Sequence, residues 1–356
     1  MDRRRFLVTA GTVATAGFSG CLAKLGRLYT SNEPPVLSNR PDEVYVPTHI
    51  EGMRMVGTAA AGDLRVGVFY SYPHRFWVID DESAGFRTTK IPHTASEDVH
   101  LMVSVWDPET GIVVPDTGLS VELTRDGNLV SEDVVYAMLS QRMGFHYGAN
   151  FALDGDGTYE VTVNVGAPSL TRFGDFAGKF GSPASTTLDF EYSADDRNDI
   201  TYKLLDEKKG NLAALDPMGM DAVPLGTVPE SLPGDSLGTA TTGGLRLAGT
   251  VVSDSRFGDD PYLALSAQTP YNRLVVPRMG ISAAVSTGET TQFDGRLDPG
   301  LDPALGFHYG APVSGLSAEE DIGDPQVDVT VDVPPQVARH EGYETAFLDF
   351  DPARLG

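Results

Sequence analysis

The chain has 356 residues, with 26 Lys+Arg against 50 Asp+Glu and a formal net charge of −24. Such an acidic surface excludes a nucleic-acid binder of the ordinary basic kind, whose affinity rests on neutralising phosphates. A hydrophobic fraction of 41% with 9% aromatic residues excludes a wholly disordered acidic chain. The acids are spread along the chain instead of gathered in one tail. That spread suits molar salt, where the Debye length shrinks to about 3 Å and carboxylate repulsion is screened.

The N-terminus reads as an address. Arg3-Arg4-Arg5 precede an uncharged Ala/Gly/Thr/Val run that ends in Phe18-Ser19-Gly20-Cys21. This arrangement over residues 1–21 resembles a Tat signal with a lipobox. The run from Leu7 to Gly20 is shorter than the roughly 20 residues a membrane-spanning helix needs, so cleavage is expected. Cys21, the only cysteine, cannot form an intramolecular disulfide and would become the lipidated first residue. The mature protein would sit on the outer face of the cell membrane, held there by a tether over residues 22–42.

From residue 43 the dominant period is two. Strands are expected at Leu64–Tyr70, Phe76–Ile79 and Arg87–Ile91, and then at Val103 and Val105, at Leu119, Val121 and Leu123, and at Tyr159, Val161 and Val163. The aromatic run Tyr70 to Trp77 either lines a pocket or packs as core or interdomain surface. Asp154-Gly155-Asp156-Gly157 lacks the spaced acids and final Glu of a calcium-binding EF-hand and reads as a hairpin turn. A short helix is expected over 193–209, then a Gly/Pro-rich linker over 210–244.

A tandem repeat underlies this pattern. Gly144-Phe145-His146-Tyr147-Gly148-Ala149 recurs as Gly306-Phe307-His308-Tyr309-Gly310-Ala311, an offset of 162. The same offset aligns Val113-Val114-Pro115 with Val275-Val276-Pro277 and Leu139 with Leu301. Each copy runs on to an Arg (Arg172, Arg339) and a Leu-Asp-Phe strand at 188–190 and 348–350. We therefore expect an all-β protein of two tandem immunoglobulin-like β-sandwich domains, 43–209 and 245–356. Residues 43–90 show no counterpart in the second copy.

His146-Tyr147-Gly148-Ala149-Asn150, the hairpin turn after it and Asp98-Val99-His100-Leu101 before it resemble the periplasmic iron-transport proteins, high-affinity iron-uptake lipoproteins that bind copper and iron. The resemblance covers about 98–192 and, more weakly, 260–351. It implies a dimeric immunoglobulin-like fold and ligands from the first His, an upstream Met, the motif His and a later Arg-His. Carried over, these are His100, Met138, His146 and His340, with Met102, Met143, His308 and Glu341 as possible secondary ligands. The first copy lacks the Arg-His element, because Phe173 follows Arg172, and the second has Tyr262 and Gly300 where the first has His100 and Met138. We therefore expect an intramolecular pseudo-dimer in which His340 crosses over to complete one site.

Imidazoles with a thioether suit copper, and iron less well. Affinity should fall as pH drops through roughly 6.5. The expected function is extracytoplasmic, membrane-anchored binding of copper and/or iron for uptake, with a possible permease partner and no nucleic acid. The alternative is a non-metal structural or adhesion-type surface lipoprotein. No nucleophile–base pair, P-loop or His-Glu-x-x-His helix suggests an enzyme.

Overall fold

The computed structural model describes residues 28–29, 34–82, 85–219, 222–314 and 325–356. The expected signal, with Cys21, lies outside the described residues, as do residues 22–27 and 30–33 of the tether.

The first half contains β1 (Leu28–Tyr29), β2 (His49–Glu51), β3 (Arg54–Ala61), β4 (Leu64–Ser71), β5 (Phe76–Glu82), β6 (Gly85–Ile91), β7 (Val99–Trp106) and β8 (Leu119–Arg125). It continues with β9 (Asn128–Val134), β10 (Tyr136–Ser140), β11 (Gly144–Phe151), β12 (Gly157–Val165), β13 (Thr171–Arg172), β14 (Ala184–Tyr192), α1 (Ala194–Asn198) and β15 (Tyr202–Leu204). The second half contains β16 (Asp235–Thr242), β17 (Leu245–Val252), β18 (Tyr262–Gln268), β19 (Gly280–Thr287), β20 (Thr290–Asp302), β21 (Gly306–Pro312), β22 (Gln326–Val333), β23 (Ala338–Arg339) and β24 (Ala353–Leu355).

Alternation decides which side chains enter the core. In β8, Leu119, Val121 and Leu123 are buried while Ser120, Glu122 and Thr124 are partly exposed. They pack in one cluster with Val66 and Val68 of β4, Val103 and Val105 of β7, and Val161 and Val163 of β12. The strand β7 is buried on both faces. Leu101, Val103 and Val105 share one face, and His100, Met102 and Ser104 point the other way. The chain is thus an all-β protein of sandwich-like sheets.

In the first copy an eight-stranded sheet, β3-β4-β7-β11-β10-β23-β5-β6, is joined by a four-stranded sheet, β14-β12-β8-β9. In the second, the long β20 takes the place of β9 and β10 together and links both sheets into one path, β16-β17-β18-β21-β20-β19-β22-β24.

The two copies exchange strands. β23, from the second half, pairs in parallel with β10, setting Met138 opposite Ala338 and Leu139 opposite Arg339. β13, from the first half, pairs in parallel with β20, setting Thr171 opposite Gly300 and Arg172 opposite Leu301. The two joints are equivalent under the sequence repeat. Beyond them, the His340 amide donates to Leu139 O at 3.2 Å and the Phe173 amide to Leu301 O at 2.9 Å. Arg339 Nη1 donates to Ala346 O and Arg172 Nη1 to Lys179 O, each seven residues on.

Several boundaries differ from those expected. The hairpin β16–β17 occupies the place of β3–β4, so part of 43–90 does have a counterpart, and the presumed linker 210–244 contains β16. Sequence identity had decayed there, but the hydrogen-bonded hairpin persists because backbone pairing does not need particular side chains. The helix over 193–209 shrinks to five residues, Ala194–Asn198, capped by Ser193 and followed by β15. No strand forms at 348–350, where the last ladder is made by Ala353–Leu355 against β22. The hairpin β5–β6 is the addition particular to the first copy, and it joins the sheet through the exchanged β23, with Arg339 opposite Trp77.

Candidate metal centre

Four histidines from four segments meet where the exchanged β23 enters the first sheet. His100 stands on β7, His146 on β11, His340 directly after β23, and His74 in the loop between β4 and β5. The ring centroids of His74 and His100 are 4.0 Å apart, those of His74 and His340 5.0 Å, and those of His146 and His340 5.4 Å. Ligand nitrogens of His74, His100 and His340 all lie within 4.8 Å of one another.

Second partners fix how these rings present themselves. His146 Nδ1 donates to Gly144 O at 3.0 Å, a carbonyl that can only accept, so its Nε2 carries the lone pair. Asn150 Nδ2 donates to His74 O at 3.1 Å, which turns Asn150 Oδ1 toward His100 Nδ1 at 2.8 Å. His100 therefore also presents a bare Nε2. Nε2 of His100, His146 and His340, and both ring nitrogens of His74, are buried without any hydrogen-bond partner. Leaving one such group unmet costs about 1–3 kcal/mol, so five in one place are unusual in a folded protein. A cation that takes one lone pair from each ring satisfies four of them, and the remaining His74 nitrogen carries that ring's proton.

Burial holds all four rings neutral. Desolvation lowers the pKa of His74, pushes His146 down to about 4, and, with the neighbouring imidazoles, takes His100 and His340 well below the ordinary value. Neutral imidazole is the metal-binding form.

Met138 is fully buried beside Phe76 and Ala338, directly across the ladder from His146. A Cβ placed on Gly148 would lie 2.9 Å from His100 Nε2 and 3.1 Å from Met138 Sδ. The glycine of the His-Tyr-Gly motif thus keeps open the space between a thioether and an imidazole. An imidazole nitrogen and a thioether facing one methyl-sized gap, with ligand nitrogens of His74 and His340 close to that of His100, fit a transition-metal ion of borderline-soft character.

The structure brings together the four residues expected as primary ligands and adds His74, which the sequence offered only within an aromatic run. Its signal was weak because a lone His in a loop carries no spacing. The expected secondary residues separate. Met102 and Met143 line the cleft beside the imidazoles. Glu341 is tied up by Arg75 and faces His49 Nδ1 at 3.4 Å. Glu51, also unforeseen, stands 3.2 Å from His49 Nε2 and 3.7 Å from His74 Nδ1, a carboxylate behind a candidate ligand.

His308 is far from this arrangement, in the equivalent pocket of the second copy. Its Nδ1 donates to Gly306 O at 3.1 Å, as its counterpart does, but its Nε2 meets Tyr262 OH at 3.3 Å. Phe173, Phe257 and Tyr262 fill the rest, with Phe257 stacked on Tyr262 at 4.4 Å and Phe173 4.7 Å from Phe257. The bare glycine here is Gly300, whose missing side chain makes room for Phe173. His308 is therefore corrected from a possible ligand to a packed residue whose nitrogens both have partners.

Both repeats, residues 53–177 and 230–356, match a family described as "Domain of unknown function (DUF7350)". The chain belongs to this family. A search of curated proteins finds no match. Solved structures similar to this DUF7350 member include FetP of uropathogenic E. coli strain F11, at 23% identity and a TM-score of 0.31, covering 40% of this chain and 96% of FetP. Copper-reconstituted P19 from Campylobacter jejuni is another, at 21% identity and a TM-score of 0.31, covering 40% of this chain and 96% of P19.

Proposed function

We propose that this protein binds a transition-metal ion, copper in preference to iron, at one centre built from His74, His100, His146 and Met138 of the first copy and His340 of the second. The observation that carries the reading is the convergence of five buried, unpartnered imidazole nitrogens. Nothing in a purely structural or adhesive protein calls for that, since each nitrogen weakens the fold unless something binds it. The donor set is nitrogen and sulfur without thiolate, which suits copper; iron would need oxygen ligands that stand further back, on Glu51 and Glu341.

Under this reading the chain works as an intramolecular pseudo-dimer and as a carrier, not as an enzyme. The twin-arginine start and Cys21 support export by Tat and lipid anchoring on the outer face of the cell membrane. Uptake of copper or iron through a membrane permease is the role that such a placement favours.

Metal content of the protein purified in high salt, followed by Cu(II) and Fe(II) titration, tests the proposal. We expect one tightly held copper per chain and weaker iron. A protein that takes up neither metal at stoichiometric concentration would overturn it and favour the adhesion reading.

A further inference from the structure

Glu344, in the loop that follows His340, carries a fully buried carboxylate. Such a group is costly to desolvate unless hydrogen bonds replace its water. Here the bonds tie the His340 loop to the N-terminal segment. The Gly342 amide donates to Glu344 Oε2 at 2.7 Å, and Tyr45 OH and Arg40 Nη1 donate to Oε1, the latter at 3.4 Å. The Glu344 carbonyl accepts from Thr88 Oγ1 of β6 at 2.7 Å. Gly342 is held twice more, its carbonyl accepting the Tyr45 amide at 3.2 Å and Gln141 Nε2 at 3.3 Å. The approach is close enough to require glycine, since a Cβ there would lie 2.5 Å from Tyr45 O.

The other copy shows that the loop folds without this carboxylate. Counting on from the equivalent arginines, Arg339 and Arg172, His340 corresponds to Phe173, Tyr343 to Phe176, Phe347 to Phe180, and Glu344 to Ala177. The backbone bonds match: Tyr343 N donates to His340 O at 3.1 Å and Ala346 N to Tyr343 O at 3.2 Å, against 3.0 Å for Phe176 N to Phe173 O and for Lys179 N to Phe176 O. Both loops end on a buried phenylalanine in the left-handed region, with φ of 60° at Phe347 and 58° at Phe180. What differs is the residue delivered. Phe173 is seated by ring contacts with Phe257 and Tyr262, whereas His340 ends in an Nε2 to which nothing bonds.

We propose that Glu344 is a positioning residue, which fastens the His340 loop to the segment 40–45 so that His340 stands in its ligand place before a metal arrives. Ordering a ligand in advance removes part of the entropy that binding would otherwise oppose. The inference takes its purpose from the metal-binding reading, but its first test needs no metal.

That test is amide hydrogen exchange over residues 340–347 in the full metal-free chain, followed by Cu(II) competition titration with electron paramagnetic resonance to count coordinated nitrogens. Glu344→Ala should speed exchange at Gly342 and Tyr343 at least about 10-fold. It should also weaken Cu(II) about 10–100-fold, with one nitrogen fewer in the spectrum. Glu344→Gln, which keeps an acceptor oxygen for the Gly342 amide, should bring exchange and affinity back to within about threefold of wild type. Tyr45→Phe covers the case of a Glu344→Ala chain that does not fold, and should speed exchange at Gly342 and weaken Cu(II) about threefold. A carboxylate that only braces the fold predicts a lower unfolding midpoint with nitrogen count and Cu(II) affinity unchanged; that result, or unchanged exchange in these variants, overturns the inference. Wild-type protein that binds no Cu(II) overturns the metal reading instead, and the exchange rates then decide by themselves whether Glu344 holds the loop.

Discussion

The two copies carry the same pocket in opposite states. In each, a glycine with φ of 68° opens the strand (Gly144, Gly306), and a tyrosine hydroxyl accepts an amide bond at 3.0 Å, from Thr117 or Met279. In each, a histidine is fixed by the carbonyl two residues back. Around the first histidine stand three further imidazoles and a thioether, all with unspent lone pairs. Around the second stand Phe173, Phe257 and Tyr262, whose ring contacts are worth roughly 0.5–1.5 kcal/mol per pair beyond their burial. The shared scaffold therefore explains retention of the motif in both copies, and the surroundings alone separate a binding pocket from a packed one. Strand exchange makes the difference reciprocal, because the first copy gives away Phe173 and receives His340.

The sharpest way to break this comparison is to remove the histidine that crosses over. His340→Ala should lower copper affinity by more than about 100-fold, since even the loss of a residue that merely orients a ligand costs about 10–100-fold. His308→Ala, its control in the closed pocket, should leave copper affinity within about twofold; competition titration reads both. Equal losses in the two variants would mean that the pockets do not differ as described.

Acid should act on the open centre next. The folded-state pKa of His146 is about 4 against an ordinary 6.5, so below pH 6.5 the unfolded chain binds the proton and the native one does not. Stability of the metal-free protein should thus fall as pH drops from 6.5 toward 4, by roughly 3 kcal/mol at this one residue. Denaturant unfolding at pH 7, 5.5 and 4 measures it, and bound copper should flatten the slope. Copper should also remain bound somewhat below pH 6.5, where an exposed imidazole would already have released it.

Asn150 orients His100, and Pro312 at the equivalent place has no amide to do so. Asn150→Ala should weaken copper about 10-fold, with ligand-field spectra shifted although every candidate ligand remains. Smallest of all is the glycine pair. Gly148→Ala should reduce copper affinity several-fold by crowding His100 Nε2 and Met138 Sδ. Gly310→Ala, whose Cβ would come 2.4 Å from the Tyr262 ring, should cost about 1 kcal/mol or more in stability and nothing in copper binding.

Much of this was legible in the residues. Period-two alternation marked most strands, and the recurrent six-residue motif marked the duplication, because both depend on local geometry that side-chain order records directly. His100, Met138, His146 and His340 could be named only through a resemblance, since no spacing in the sequence joins residue 146 to residue 340. His74 and Glu51 carried no pattern at all. The β16–β17 hairpin was missed for a related reason: Gly/Pro-rich segments read as linker, while backbone pairing with a neighbouring strand can still order them.

By itself, then, the amino-acid sequence determined a duplicated all-β chain with an acidic surface and a histidine in each motif. Alternation and turn chemistry are local, and an offset repeat is visible wherever enough identities survive. Only the tertiary structure decided that one pocket is open and the other packed, because that outcome depends on which strand end arrives at each sheet. A parallel pairing of two residues, Ala338 and Arg339 against Met138 and Leu139, carries His340 to three other imidazoles, and the equivalent pairing carries Phe173 to a place where it can only pack.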